Sequence, residues 1–318
     1  MATAINVLII HGVGWGESGK DFSRPLQEGL RREFGKAVKN LKLRDVARAD
    51  MNPQTALRFE PVDWAQVTQL PQNALLQLIF GRWGLLRRFN PTFLARKNMV
   101  GLLGDVIAYE AGSEVYQAIH RRVDQGVERL SEESSYERDE SGMAPLTIIG
   151  HSLGSVIGSD FVWDNTQHHS SEPHIMGDHH MSLVNYIALG SPMILYALRN
   201  NAGGRLESIR SALSAPIQVA PEGGLWLNLY DQQDVIAFPL RVLRSYADAG
   251  VIDLKVSSGN WLTGWNPACH VGYWSSGNVA RWIARKLALD WARYNSPEFA
   301  ERDYARSLKK LRREMERA

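Results

Sequence analysis

One serine of this sequence lies in a setting that suits a nucleophile. Ser152 is the centre of the motif GHSLG at residues 150–154, between an apolar run at 146–149 and a helical pattern at 155–163. A serine hydroxyl is a weak nucleophile near neutral pH, so it needs a base within hydrogen-bond reach and donors for the oxyanion that it creates. The flanking glycines permit a sharp turn from strand to helix, which presents the serine above the sheet edge. The pattern predicts nucleophilic catalysis by Ser152.

Two backbone amides are candidate donors for that oxyanion. Leu153 would open the helix after the serine, and the helix N-terminus would direct its amide toward the developing negative charge. The second donor should come from the turn after an earlier strand, where the motif HGVG at residues 11–14 directly follows the apolar run 5–10. We therefore predict an oxyanion hole formed by the amides of Val13 and Leu153.

The base and the acid are expected to follow the serine along the chain. His270 is the only histidine after the apolar run 225–230, so chain order selects it as the general base. Two carboxylates, Asp231 and Asp234, come directly after the same run. Either of them could orient the histidine and stabilise its charged form. The residues alone therefore leave the acid open between these two aspartates.

The elements that would position these residues alternate between strands and helices. Apolar, β-branched runs predict strands at residues 5–10, 57–59, 146–149, 183–189, 225–230 and 251–256. Helical spacing of apolar residues predicts helices at 21–34, 106–130 and 155–163, and a last helix that begins near Trp274. This alternation predicts an α/β fold with a doubly wound, mainly parallel sheet flanked by helices.

Two segments depart from this alternation. Residues 61–104 are irregular, apolar and aromatic, and we predict an inserted helical lid or cap there. An ordinary helix packed against the core is the alternative, because apolar stripes usually face a core. Residues 302–317 carry many charges and few apolar positions, which is typical of a solvated helix or tail. We expect one domain at 1–296 and a charged C-terminal segment at 297–318.

Several ordered landmarks together resemble the lipase and esterase branch of the α/β-hydrolase superfamily, and they span most of the chain. They are IIHG at residues 9–12, GHSLG at 150–154, ALGSP at 188–192, YDQQDV at 230–235 and HVGYW at 270–274. The resemblance implies the α/β-hydrolase fold and a serine hydrolase that cleaves carboxylic esters through an acyl-enzyme intermediate. It also implies that no metal or organic cofactor is needed.

The resemblance also assigns the acid of the expected Ser-His-Asp triad. In this family the acid often precedes a hydrophobic residue, and here Asp234 is followed by Val235 and Ile236. The implied triad is therefore Ser152, His270 and Asp234. Asp231 would instead cap or brace the turn.

Rival interpretations explain less of the sequence. The run GWGESGK at residues 14–20 is similar to a phosphate-binding loop, but Asp21 occupies the place of the required Ser or Thr. Five histidines between 168 and 180 could in principle ligate a metal, although their polar surroundings favour a solvated loop. The thiol of Cys269 is better explained by buried packing than by reactivity. An inactive scaffold that only binds a partner is disfavoured because each triad role has a candidate residue.

Composition narrows the class of protein further. The formal net charge of +2 gives no general reason to expect nucleic acid as a partner. The expected partner is a small-molecule or lipid ester, and the 61–104 segment leaves open a transient contact with a membrane or lipid surface. The single cysteine excludes an intrachain disulfide, and no signal peptide or bilayer-spanning run is recognisable. We expect a cytoplasmic protein, and the sequence does not fix its oligomeric state.

Overall fold

A computed structural model of the chain describes most of its 318 residues. The described residues are 2–12, 22–41, 43, 51–68, 109–139, 141–166, 172, 174–199, 217–259 and 267–318. The predicted Val13 donor, the loop at 14–20 and residues 69–104 of the predicted lid lie outside them.

Within the described residues, seven strands form one mixed but mainly parallel sheet. They are β1 Ile5–Ile10, β2 Leu57–Val62, β3 Ala144–His151, β4 Ile175–Met176, β5 Met181–Leu189, β6 Leu225–Tyr230 and β7 Ile252–Lys255. The strand order is β2-β1-β3-β5-β6-β7, with each neighbouring pair parallel, and the short β4 pairs antiparallel with β5. Because the long strands run in the same direction, their carboxyl ends share one edge of the sheet.

Helices connect and cover these strands. They are α1 Arg24–Asn40, α2 Pro53–Ala56, α3 Glu114–Glu133, α4 Leu153–Thr166, α5 Met193–Arg199, α6 Arg244–Asp248, α7 Gly277–Asn295, α8 Pro297–Arg302 and α9 Tyr304–Met315. In the part of the chain that the structure describes, short 3-10 helices lie at Gly177–His179 and Pro267–Trp274. The second of them carries the histidine of the candidate site.

Strand β1 illustrates how the sheet is buried on both faces. Ile5, Val7 and Ile9 point into an apolar layer shared with α1, α7, α8 and α9, whereas Leu8 and Ile10 point into a second layer shared with α3 and α4. Successive strand side chains alternate between the faces, so a strand covered by helices on both sides is apolar on both faces. The one polar residue of β1, Asn6, is buried with its side-chain amide donating to the Pro145 carbonyl at 3.1 Å. The prediction of an α/β fold with a mainly parallel, helix-flanked sheet is confirmed.

The predicted helix at 106–130 begins later than expected within the described residues. Helix α3 starts only at Glu114, because Ser113 has an extended backbone (ψ 161°) and its side chain accepts a hydrogen bond from the Tyr116 amide. A serine in this position satisfies one of the free amides at the helix start, which fixes the boundary. Tyr109, at 0% exposure, precedes the helix as a buried, non-helical residue.

The prediction of a solvated C-terminal helix is wrong for one face of that helix. Within residues 302–317, α9 buries Tyr304, Leu308, Leu311 and Met315 in the layer that it shares with α7. Their spacing of three and four residues forms one apolar stripe, although charged residues surround it in the sequence. A small number of apolar residues is therefore enough to bury one side of a helix when they lie on the same face.

The start of the predicted lid belongs to the core. Residue Val62 ends β2, and Trp64, at 0% exposure, packs in the layer that contains α3 and α4. The end of β2 and the buried Trp64 show that the predicted insertion does not begin at residue 61. The alternative, a helix packed against the core, concerns residues that lie outside the described ones. Among the described residues, no helix has the length and hydropathy needed to cross a bilayer.

Candidate active site

Ser152 occupies a strained position between β3 and α4. Its φ of 52° lies in the left-handed region, which costs a non-glycine residue about 1–3 kcal/mol and persists only where the surroundings enforce it. The Ser152 amide donates a hydrogen bond to the Leu189 carbonyl at 2.9 Å, and the Ser155 amide donates to the Ser152 carbonyl at 2.9 Å. The backbone on both sides of the serine is therefore fixed by the end of β5 and the first turn of α4.

The glycines around the serine are required by close approach of neighbouring atoms. A Cβ on Gly150 would lie 2.5 Å from the Ser155 Cα, and a Cβ on Gly154 would overlap the Ile10 carbonyl oxygen. A Cβ on Gly12, in the turn after β1, would lie 2.6 Å from the Ser152 Cβ. Only glycine fits at these three positions, which explains why the sequence surrounds the serine with them.

Two further serines support this turn, and sequence reasoning missed them. The Ser155 hydroxyl lies 2.6 Å from the Ser152 carbonyl oxygen, to which it donates, and 2.7 Å from the Ser191 hydroxyl. Ser191 in turn accepts a hydrogen bond from the Met193 amide at 3.2 Å. Ser191 belongs to the landmark at residues 188–192, so the sequence pattern included it but did not predict its contact with Ser155.

His270 and Asp234 form a direct pair at the same edge of the sheet. The distance from His270 Nδ1 to Asp234 Oδ2 is 2.7 Å, and the Asp234 side chain is completely buried. The other Asp234 oxygen accepts a hydrogen bond from the Ile236 amide at 3.2 Å. Because an ionised carboxylate only accepts hydrogen bonds, the His270 proton is on Nδ1 when the ring is neutral.

The second ring nitrogen of His270 is available for chemistry. His270 Nε2 is buried and has no hydrogen-bond partner among the described residues, while the side chain as a whole is 18% exposed. In the neutral ring with its proton on Nδ1, this nitrogen carries a lone pair. The structure has no hydrogen bond between Ser152 Oγ and His270 Nε2. The two residues lie on adjoining segments, because the ring of His151 is 4.8 Å from that of His270, centroid to centroid.

Asp231 is placed differently from Asp234, although it is only three residues away. Its Oδ2 atom accepts hydrogen bonds from the Ser258 amide at 2.7 Å and lies 3.0 Å from the Ser258 hydroxyl. Its Oδ1 atom accepts from the Gln233 amide at 3.0 Å. The Ser258 hydroxyl also lies 2.8 Å from the Cys269 carbonyl. Asp231 therefore braces the turn and the segment before His270, and makes no hydrogen bond with the histidine itself.

A tyrosine and a glycine lie next to the two aspartates. The Tyr273 hydroxyl accepts a hydrogen bond from the Asp231 amide at 2.7 Å. Gly190, with φ 56°, leaves room for this ring, since a Cβ there would lie 2.8 Å from Tyr273 Cε2 and 3.1 Å from Asp234 Oδ2. The adjacent Cys269 is not a competing nucleophile at neutral pH, because burial raises the pKa of its thiol to about 11.

Of the two predicted oxyanion donors, only Leu153 lies within the described residues. Leu153 is the first residue of α4, and the amides of a first helical turn have no acceptor within the helix. Val13 lies outside the described residues. The turn that leads to it is held by Trp64, whose Nε1 donates a hydrogen bond to the His11 carbonyl at 2.8 Å and whose ring stacks on the His11 ring at 5.0 Å.

The histidines that could have formed a metal site are separated in the described residues. His179 Nε2 lies 2.9 Å from Asp124 Oδ1, and neither His174 nor His180 forms a metal-ligand group with it. His168 and His169 lie outside the described residues. Within the part of the chain that the structure describes, no three side chains of His, Cys, Asp or Glu are grouped as metal ligands.

No protein-family model matches this chain, and no curated protein matches it either. The class that the fold defines is an α/β protein with a mainly parallel, helix-flanked sheet. A function for it has to be argued from the geometry of the site at the carboxyl edge of that sheet.

Proposed function

We propose that this protein is a serine hydrolase of the α/β-hydrolase fold that cleaves carboxylic esters. Ser152 is the nucleophile, His270 the general base, and Asp234 the acid that orients the histidine. One observation carries the proposal. A serine in a left-handed turn shares an edge of the sheet with a buried His270–Asp234 pair whose outer nitrogen has no partner among the described residues.

The protonation of the pair supports this assignment of roles. Asp234 holds the proton of His270 on Nδ1, so the lone pair of Nε2 is free to take the proton of a serine hydroxyl. When the ring becomes charged during attack, the buried carboxylate 2.7 Å away stabilises it. Asp231 has no such access to the ring, because Ser258 and Gln233 occupy its oxygens.

The reaction proceeds in two halves. Ser152 Oγ attacks the ester carbonyl carbon while His270 Nε2 accepts the hydroxyl proton, and the proton then passes to the leaving alcohol. Water attacks the acyl-enzyme by the same route and regenerates the serine. The Leu153 amide donates to the tetrahedral oxyanion in both halves, together with the predicted Val13 amide.

The absence of a hydrogen bond between Ser152 and His270 is compatible with these roles. In ligand-free enzymes the hydrogen bond between nucleophile and base is often long or poorly aligned, and it tightens when substrate binds. The Ser152 side chain turns about a single χ1 bond, so its hydroxyl can reorient without any change in the strained backbone.

A test of the proposal combines a substrate and a covalent probe. The protein should hydrolyse p-nitrophenyl esters and react with a fluorophosphonate, and Ser152→Ala should lower kcat by roughly 10³ to 10⁶ while the far-UV circular dichroism is retained. Ser141→Ala is the matched control, because Ser141 lies in an exposed turn before β3, at the opposite end of that strand. Near-normal turnover by Ser152→Ala, or equal phosphonate labelling of both variants, would reject the proposal.

A further inference from the structure

His151, the residue before the proposed nucleophile, makes a hydrogen bond to the backbone of the proposed base. Its Nε2 atom lies 2.7 Å from the His270 carbonyl oxygen, and the residue is 1% exposed. A carbonyl oxygen only accepts, so His151 Nε2 carries a proton and donates it. The sequence pattern assigned no role to this residue.

The remaining atoms of the ring fix its charge. His151 Nδ1 is buried and has no hydrogen-bond partner among the described residues. Burial, reinforced by the neighbouring His270, lowers the pKa of His151 well below its usual range, so the ring is neutral. Its polar contribution is the single hydrogen bond to His270.

The ring is also held on its sides by the segment that it contacts. Its centroid lies 4.8 Å from that of His270, 5.1 Å from that of Trp274 and 5.8 Å from that of Tyr273. These three residues belong to the 3-10 helix Pro267–Trp274. His151 therefore connects the end of β3 to that helix by packing and by the hydrogen bond together.

We infer that His151 is a positioning residue: it holds the backbone of His270 at a fixed place relative to Ser152, to which it is covalently joined. This inference rests on the proposed function. Asp234 fixes the rotation of the His270 ring, and Asp231 braces the preceding segment through Ser258. His151 adds the tie between the histidine backbone and the strand that ends at the nucleophile.

Two amide substitutions separate this role from simple packing. The amide nitrogen of glutamine falls near the position of histidine Nε2, whereas that of asparagine falls near Nδ1. We expect His151→Asn to lower kcat for p-nitrophenyl acetate and the rate of fluorophosphonate labelling by roughly 10- to 100-fold, with little change in KM, because misplacement of a reacting group by about 1 Å costs that much. His151→Gln should recover most of this loss. His174→Asn is the matched control for a histidine outside the site, and it should behave as wild type.

A double-mutant comparison shows whether the effect passes through His270. If His151 acts by placing His270, then His151→Asn should lower the residual rate of His270→Ala by less than about two-fold, because residues that act as a unit are not additive. An equal loss in both backgrounds, wild-type rates in His151→Asn, or a His151→Gln variant as slow as His151→Asn would overturn the inference.

The proposed function is tested separately by Ser152→Ala, so the two failures can be told apart. A Ser152-dependent esterase with an unaffected His151→Asn variant would contradict only the positioning role. Should His151→Asn fail to fold, ¹⁵N-edited proton spectra of the wild-type protein provide a second test. They should show a His151 Nε2–H resonance protected from solvent exchange, and a ring protonated on Nδ1 alone would remove the hydrogen bond on which the inference depends.

Discussion

In each of two buried polar clusters of this protein, a carboxylate contacts a basic group. The clusters differ in whether every nitrogen of that basic group has a hydrogen-bond partner among the described residues. One is the pair of Asp234 and His270 at the carboxyl edge of the sheet. The other, here called the Lys286 cluster, lies between β5 and α7. It consists of Lys286, Asp290, Asn185, Thr147 and Tyr304.

In the Lys286 cluster both oxygens of the Asp290 carboxylate accept hydrogen bonds, although Asn185 Oδ1 is buried without a partner among the described residues. Lys286 and Asp290 form an ion pair with side chains 0% and 1% exposed. The Asp290 oxygens also accept hydrogen bonds from Asn185 Nδ2 at 2.8 Å and from the Tyr304 hydroxyl at 3.0 Å. Donors from one strand and two helices thus surround one charge, which is what a buried ion pair needs to be tolerated.

In the Asp234–His270 pair, only the carboxylate has all of its oxygens hydrogen-bonded. Its carboxylate is fully buried and hydrogen-bonded, but the outer nitrogen of its histidine has no partner among the described residues. A buried carboxylate beside a basic group therefore does not by itself identify a reactive site. What distinguishes the two clusters is an unoccupied basic atom beside a strained serine.

The largest expected effect concerns the Asp234–His270 pair. Asp234→Asn should lower kcat by up to about 10⁴, because the amide keeps the size of the side chain but removes the charge and favours the wrong tautomer of His270. Asp231→Asn should leave kcat within roughly ten-fold of wild type and mainly reduce stability, by about 0.5–2 kcal/mol, through a weaker brace on Ser258. Measuring kcat and the thermal midpoint of both variants checks this. If Asp231→Asn abolishes turnover and Asp234→Asn does not, the assignment of the acid is reversed.

The next largest effect concerns the Lys286 cluster. Asp290→Asn leaves Lys286 as a buried charge without its counter-ion, and breaking such a pair on one side costs about 3–5 kcal/mol. Urea unfolding should therefore show a large loss of stability, while kcat below the unfolding transition stays near wild type. The exposed pair of Arg24 and Glu28, with side chains 69% and 61% exposed, provides the control, and Glu28→Gln should change the unfolding midpoint little. Loss of kcat without loss of stability in Asp290→Asn would show that the cluster communicates with the site.

Much of this arrangement can be predicted from local sequence. Continuous apolar runs located the central strands, and chain order placed the serine, the histidine and two candidate acids at one edge of the sheet. Local patterns fail where a contact depends on distant segments. The contact of the Asp231 carboxylate with Ser258 spans 27 residues, and the hydrogen bond of His151 spans 119 residues. A charged composition also concealed the apolar stripe of α9, because a stripe depends on spacing and not on the number of apolar residues.

Another buried carboxyl, that of Asp160, is intermediate between the two clusters. Its Oδ2 atom accepts a hydrogen bond from the Tyr109 hydroxyl at 3.1 Å, whereas Oδ1 is buried with no partner among the described residues. Burial raises the pKa of this carboxyl well above its usual range, despite the hydrogen bond from Tyr109. The neighbouring Asp164 has its pKa lowered, since the hydrogen bonds from His120 and Tyr116 outweigh the effect of burial.

The smallest expected effect is a change in how stability depends on pH. Between the unfolded pKa of about 3.9 and its raised folded value, Asp160 binds more protons in the native state than in the unfolded state. Its contribution is therefore complete below the unfolded pKa and is lost as the pH rises through the folded pKa. Asp160→Asn cannot titrate, so its free energy of unfolding should gain on that of wild type as the pH rises through this window. Asp164→Asn is the control of opposite sign, because it removes a contribution that wild type loses as the pH falls. Urea unfolding at several pH values measures both differences. If the free energy of unfolding of wild type minus that of Asp160→Asn grows with pH, the carboxyl is ionised in the native state and has a partner that compensates its burial.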